Sequence, residues 1–213
     1  IFWSVVLVGI IGVFVFFWLI SAGKLGFMPT FEELENPNNR FASEVYFADG
    51  PIMNRYFEKE NRKYIEYREI PQSVIDALIA TEDVRFYDHS GVDVRGLFRV
   101  AKGLLTANTS AGGGSTISQQ LAKMLFPRES DLNVFELAIR KFREWVIAVR
   151  LEKSYTKEEI LTMYLNKYDF LNLAVGISSA ADIYFQVPLD SLKVEQAAML
   201  IGMAKNSSYY NPV

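Results

Sequence analysis

The opening of the chain constrains it most: Ile1 to Ile20 is an apolar run interrupted only by Ser4, Gly9 and Gly12, with no charged side chain. As a helix, such a run extends about 30 Å, the thickness of a bilayer's hydrocarbon core. A cleaved signal peptide, with Ser21-Ala22-Gly23 as its processing site, is the competing reading, but its apolar region would be shorter and preceded by a charged segment. Residues 1–22 are therefore expected to form a membrane-crossing anchor. The 213 residues then leave room for one globular domain. A formal net charge of -3 supplies no general field for a nucleic-acid partner. The lack of cysteine removes disulfides, thiolate metal sites and cysteine nucleophiles, and leaves the compartment open.

After the anchor, residues 21–40 mix Gly, Pro, Asn and acidic residues without an apolar period, which predicts an irregular tether. Glu44 to Phe47, then Asp49-Gly50, then Ile52 to Phe57 read as a small β-hairpin. From Pro71 the period becomes helical. Pro71 suits a first helical position, and Ile70, Val74 and Leu78 stand four apart, so a helix should deliver Thr81-Glu82-Asp83 at its end. Helical faces recur in Val94 to Leu105, Ile117 to Leu125, Phe135 to Val149 and Val194 to Ala204, and Thr116/Gln119 and Thr156/Glu159 read as capping boxes. The chain is predicted to be mainly α.

Four constellations could carry chemistry. Glu82 to Gly91 gathers carboxylates, Arg85 and the chain's single histidine, His89, around aromatic residues. Such a stretch is either a solvated helix end or the seat of a general base, because a carboxylate beside aromatic surface can be tuned toward neutral pH. Without a second histidine, His89 is read as holding its turn rather than a metal. Gly112 to Gln120 is a glycine run entering a capped helix, suited to an anion or to a plain flexible loop. Arg140-Lys141-Phe142-Arg143-Glu144 puts Arg140 and Glu144 on one face; base-before-acid order is the weaker arrangement for mere helix stabilisation, and the cluster suits a pyrophosphate. Lys157 to Asn166 carries Ile160, Leu161, Tyr164 and Leu165, a pattern of core.

In order and content this set resembles the peptidoglycan glycosyltransferases, the family that forms the N-terminal module of class A penicillin-binding proteins. Glu-Asp-x-x-Phe-x-x-His-x-Gly falls on Glu82 to Gly91, Gly-Gly-Ser-Thr-Ile on Gly113 to Ile117 followed by Gln119-Gln120, Arg-Lys-x-x-Glu on Arg140, Lys141 and Glu144, and Ile-Leu-x-x-Tyr-Leu-Asn on Ile160 to Asn166. The chain departs from the family where Gln186-Val187 replaces a Gly-Lys pair, and in Lys167 to Leu173, usually richer in glycine.

The resemblance implies a lysozyme-like, two-lobed domain over residues 70–213, preceded by a tether and hairpin over 23–69, and held by a single-pass anchor at the outer face of the bacterial cytoplasmic membrane. It implies polymerisation of lipid II, the acceptor, onto a lipid-linked glycan strand, the donor, with inversion to a β-1,4 bond and release of undecaprenyl pyrophosphate. Glu82 would be the catalytic base and Glu144 the second catalytic carboxylate. Arg140 and Lys141 would attend the pyrophosphate, with a divalent metal, Mg2+ or Mn2+, at Glu144. Ser115, Thr116, Gln119, Gln120 and Lys123 would line the donor side, and Asp83 and His89 would shape the base's surroundings and bind substrate. Other cell-wall synthesis proteins are expected partners, and the hairpin suggests a longer, bifunctional protein with a transpeptidase domain. A lysozyme-like lytic enzyme and a decayed membrane-anchored scaffold are the rival readings; the cationic cluster argues against the first and retention of both glutamates against the second.

Overall fold

The computed structural model describes residues 2–26, 28–30, 43–46, 52–56, 63–106, 113–126 and 133–212. Helix α1 (Phe2–Ser21) takes up the apolar run, with Phe2, Trp3, Val8, Phe14 and Trp18 all turned outward. This helix, apolar on every side and covered on almost none, is long and apolar enough to cross a membrane. Its C-terminal end is different. There Phe16 and Phe17 meet Phe142 edge-on at 5.3 and 5.8 Å between ring centroids, and Ile20 is fully buried.

The turn that follows is clasped by the same partner. Arg150 donates to the Ser21 carbonyl (2.9 Å), the Ser21 hydroxyl (2.7 Å) and the Pro29 carbonyl (3.1 Å), while Gly26, at φ +115°, lies against the Arg143 guanidinium where a Cβ would collide. The C-terminal end of α1 and the turn after it are thus packed against the helix that carries Phe142 and Arg150. Strands β1 (Ser43–Tyr46) and β2 (Ile52–Tyr56) pair antiparallel, from Ser43 opposite Tyr56 to Tyr46 opposite Ile52. Residues 47–51, which would close the expected hairpin, lie outside the described residues, as do 31–42 of the expected tether.

The domain is mainly helical. Helix α2 (Gln72–Glu82) buries Val74, Ile75 and Leu78 against α8 (Val194–Lys205), which offers Ala197, Leu200 and Ile201. Pro71 stands one position earlier than expected, at the N-cap, where its carbonyl accepts from Val74. Helix α3 (Val94–Leu105) leaves Val94 and Phe98 exposed. Helix α4 (Ile117–Leu125) is central, packing on α5 (Val134–Ser154) and α6 (Lys157–Lys167), and α7 (Ile177–Phe185) and the short α9 (Ser207–Tyr210) complete the set. As the sequence pattern implied, Ile160, Leu161, Tyr164 and Leu165 of α6 are fully buried. Asn166 clamps the incoming chain from both sides, accepting from Ile65 N–H (2.9 Å) and donating to its carbonyl (2.8 Å).

Two segments take left-handed backbone without glycine. Leu171, Asn172 and Leu173 carry φ of 66°, 49° and 66°, and Gln186 ends α7 at φ 57°. Left-handed backbone costs an L-residue roughly 1–2 kcal/mol, partly offset by the extra chain entropy that glycine has when unfolded. Leu173→Gly, at an exposed site, and Gln186→Gly are each expected to raise stability by about 0.5–1 kcal/mol in thermal unfolding.

Candidate active site

Helix α2 ends at Glu82, and the chain turns away at Asp83, so two adjacent carboxylates are sent in different directions. Glu82 faces a cavity lined also by Arg85, Arg99, Gly113, Gly114, Ser115, Thr116 and Lys205. Its side chain is only 7% exposed. Oε2 accepts from Gln120 Nε2 at 2.6 Å, and Gln120 Oε1 in turn accepts from the Tyr164 hydroxyl at 3.1 Å. Oε1 is buried and accepts no hydrogen bond among the described residues; Lys205 Nζ stands 3.8 Å from it. Burial first, then the nearby charge of Glu82, holds the Tyr164 and Tyr168 hydroxyls above the ordinary tyrosine range, so both remain protonated donors.

Lys205 was missed by sequence reasoning. It closes α8 and donates to the Thr81 carbonyl at 3.3 Å, and a lone cation in a helix's last turn reads as an ordinary dipole-stabilising residue. Nothing local indicates that α8 lies beside the end of α2.

Asp83 turns inward. Its carboxylate accepts from Ile117 N–H (3.1 Å), at the start of α4, and bonds His89 Nε2 at 2.9 and 3.1 Å. With Nε2 donating to Asp83, Nδ1 is left to accept from Gly91 N–H at 3.3 Å, which sets the tautomer. The polar atoms of Asp83 and His89 are therefore spent on the protein, tying the Glu82 to Gly91 segment to α4. Gly91, at φ +94°, sits where a Cβ would meet the Ala148 backbone at 2.7 Å, so only glycine lets the segment rest on α5.

A second clamp holds the same segment. Lys157 Nζ donates to the His89 carbonyl (2.7 Å), pairs with Glu152 (2.7 Å) and lies 4.3 Å from the Phe86 ring centre, while Ser118 donates to Glu152 from α4 at 2.5 Å. On the cavity's far side Arg85 pairs with Asp93. Burial alone would raise Asp93, but hydrogen bonds from Arg85 and Gly96 N–H and the Arg85 charge hold it below the ordinary carboxylate value.

The remaining expected residues form two hydrogen-bonded sets, with Arg140 and Lys123 in neither. Ser115, Lys141 and Glu144 form one hydrogen-bonded cluster, with Lys141 Nζ donating to Ser115 Oγ at 2.9 Å and to Glu144 at 2.8 Å. The ion pair runs from Lys141 three residues on to Glu144. Arg140, half-buried on α5, and Lys123, exposed on α4, stand outside this cluster.

Thr116 and Gln119 are buried, and both donate to the Gly91 carbonyl, at 2.7 and 3.3 Å. Thr116 does cap α4, accepting from Gln119 N–H. The expected capping box is only half formed, because the Gln119 side chain is drawn to Gly91 instead of back to the cap. No three His, Cys, Asp or Glu side chains come together as a metal cage among the described residues. Glu144, the one expected metal ligand, is a single carboxylate already paired with Lys141 at 2.8 Å.

Comparison with known proteins follows the same residues. The family model described as Transglycosylase matches residues 49–213. Penicillin-binding protein 1A of Escherichia coli is 37% identical over 186 residues, covering 87% of this chain and 21% of that protein. Proteins of the same name from Pseudomonas aeruginosa and Neisseria lactamica are 38% and 37% identical over the same 87% of the chain, and 22% and 23% of their own lengths are matched. The chain thus spans about a fifth of the length of these curated relatives.

Proposed function

The chain belongs to the transglycosylase family, and on that premise we propose that it polymerises lipid II into β-1,4-linked glycan strands by inverting transfer, with Glu82 as general base. One observation carries the reading. Glu82 is a low-exposure carboxylate at the wall of a cavity that also presents cationic side chains, with one oxygen held by Gln120 and the other buried without a hydrogen-bond donor among the described residues. A base needs an acceptor atom that is fixed and unoccupied, and Oε1 meets both conditions.

In the proposed reaction, Glu82 Oε1 takes the proton from the acceptor sugar's 4-hydroxyl as that oxygen attacks the donor's anomeric carbon. The bond from that carbon to the pyrophosphate oxygen breaks, and its electron pair leaves with undecaprenyl pyrophosphate. Attack opposite the departing bond inverts the configuration in a single displacement. Lys141 and Arg140 neutralise the departing charge, and the Ser115 hydroxyl, already bonded to Lys141, orients it. A divalent ion, were one bound, would be held by Glu144 and would supply further charge neutralisation to the leaving group.

Glycan hydrolysis, the rival reading, would give this cationic cluster no anion to hold. The lipid-facing surface of α1, together with exposed Val94, Phe98, Val134 and Phe135, favours a domain working on substrates drawn from a bilayer, which we assign to the outer face of the cytoplasmic membrane. A two-lobed, lysozyme-like arrangement is part of the same proposal.

The test is to supply labelled lipid II to the protein in detergent and size the products. Long strands are expected. Release of short fragments from preformed glycan, with no growth from lipid II, would replace this reading with the hydrolytic one.

A further inference from the structure

We propose that Tyr164 is a positioning residue for this reaction, fixing through the Gln120 amide which oxygen of Glu82 is left without a hydrogen bond to take the proton. The inference rests on the reading of Glu82 as the base. A glutamine side chain has several rotatable bonds, and its amide can present either oxygen or nitrogen to a neighbour. Facing a carboxylate, only the nitrogen gives a bond. Gln120 belongs to α4 and is incompletely buried, so its own helix does not hold the amide in place.

Tyr164 does. Its ring is fully buried in α6 and stacked on Tyr168, with ring centres 5.7 Å apart and planes 24° from parallel, so the packing of the core sets where its hydroxyl lies. That hydroxyl stays protonated and donates to Gln120 Oε1 at 3.1 Å, which turns the amide nitrogen onto Glu82 Oε2 at 2.6 Å.

The other groups around Glu82 do not duplicate this. Lys205, from α8, stands toward Oε1; Asp83 is turned to His89 and Ile117; the Tyr168 hydroxyl reaches the Met203 and Ala204 carbonyls at 3.4 and 3.2 Å; and Arg85, across the cavity, is paired with Asp93. Arg99 lines the cavity's outer part. Gln120 is thus the one side chain among the described residues that holds Oε2, and without the hydroxyl of Tyr164 its amide is free to turn. The carboxylate then loses its fixed orientation, and acceptor binding does not.

The experiment compares Tyr164→Phe, Gln120→Ala and the double variant with wild type, measuring kcat and KM for labelled lipid II polymerisation by the whole anchored chain in detergent. Tyr164→Phe is expected to lower kcat about 3- to 10-fold, the worth of one oriented hydrogen bond, with KM within about two-fold of wild type. Added to Gln120→Ala, it should lower kcat no further, because its route to the base has already been removed. Tyr168→Phe, the same change one turn along, should leave kcat near wild type. The proposal is overturned if Tyr164→Phe costs the same factor with or without Gln120, if its effect lies in KM alone, or if Tyr168→Phe lowers kcat equally. Loss of the Tyr164 effect while Glu82→Gln still abolishes turnover would reject the positioning role and leave the base in place. Activity retained by Glu82→Gln would reject the underlying reading.

Discussion

Glu82→Gln is expected to lower kcat for lipid II polymerisation by about 10²- to 10⁴-fold, the range contributed by a positioned general base, with KM little changed. The substitution is nearly isosteric. It preserves the end of α2, the contact to α4 and the cavity's shape, and removes only the ability of the atom in the Oε1 position to accept a proton. The Lys205 ammonium, 3.8 Å away, does not compensate, since it is itself a cation and lacks the lone pair needed. Steady-state rates on labelled lipid II, with product lengths read from gels, measure the loss. A variant within ten-fold of wild type would show that another group takes the proton.

Asp83→Ala should cause the largest loss of stability, about 2–5 kcal/mol, read from denaturant or thermal unfolding in detergent. Asp83 is 7% exposed, and its carboxylate receives the first N–H of α4 and the His89 ring together. Alanine would leave both donors buried without an acceptor, and would also remove a negative charge from the positive end of a helix. Asp83→Asn keeps one carbonyl oxygen and is expected to lose about half as much. Unfolding of Asp83→Ala at the wild-type midpoint would mean that the Lys157 and Glu152 clamp alone holds the segment.

Several features were legible in the chain because their causes are local. The apolar helix α1 follows from an unbroken apolar run, α2 from apolar residues four apart, and delivery of Glu82-Asp83 at its end from that helix's length. Thr156 with Glu159 forms the expected capping box, since both halves lie within one turn. Thr116 with Gln119 does not, because the buried Gly91 carbonyl, distant in sequence, competes for the glutamine and wins. Gln120, expected on the donor side, bonds Glu82, and Tyr164, buried in the core as expected, donates to that glutamine through its hydroxyl.

What the sequence by itself determined, then, was the class of structure and the chemical inventory: a long apolar N-terminal helix, a mainly helical domain, and the carboxylates and cations in their order. Periodicity and capping act over one or two turns, and composition acts on the whole, so both can be read without coordinates. Tertiary structure decided what each polar group is for. It turned Asp83 toward His89 and α4 and Glu82 toward the cavity, brought Lys205 from the last long helix beside Glu82, and fastened the end of α1 to the helix that carries Lys141 and Glu144. These outcomes depend on which buried donors find which acceptors once the helices pack, and that pairing is set by the cost of leaving any of them unsatisfied.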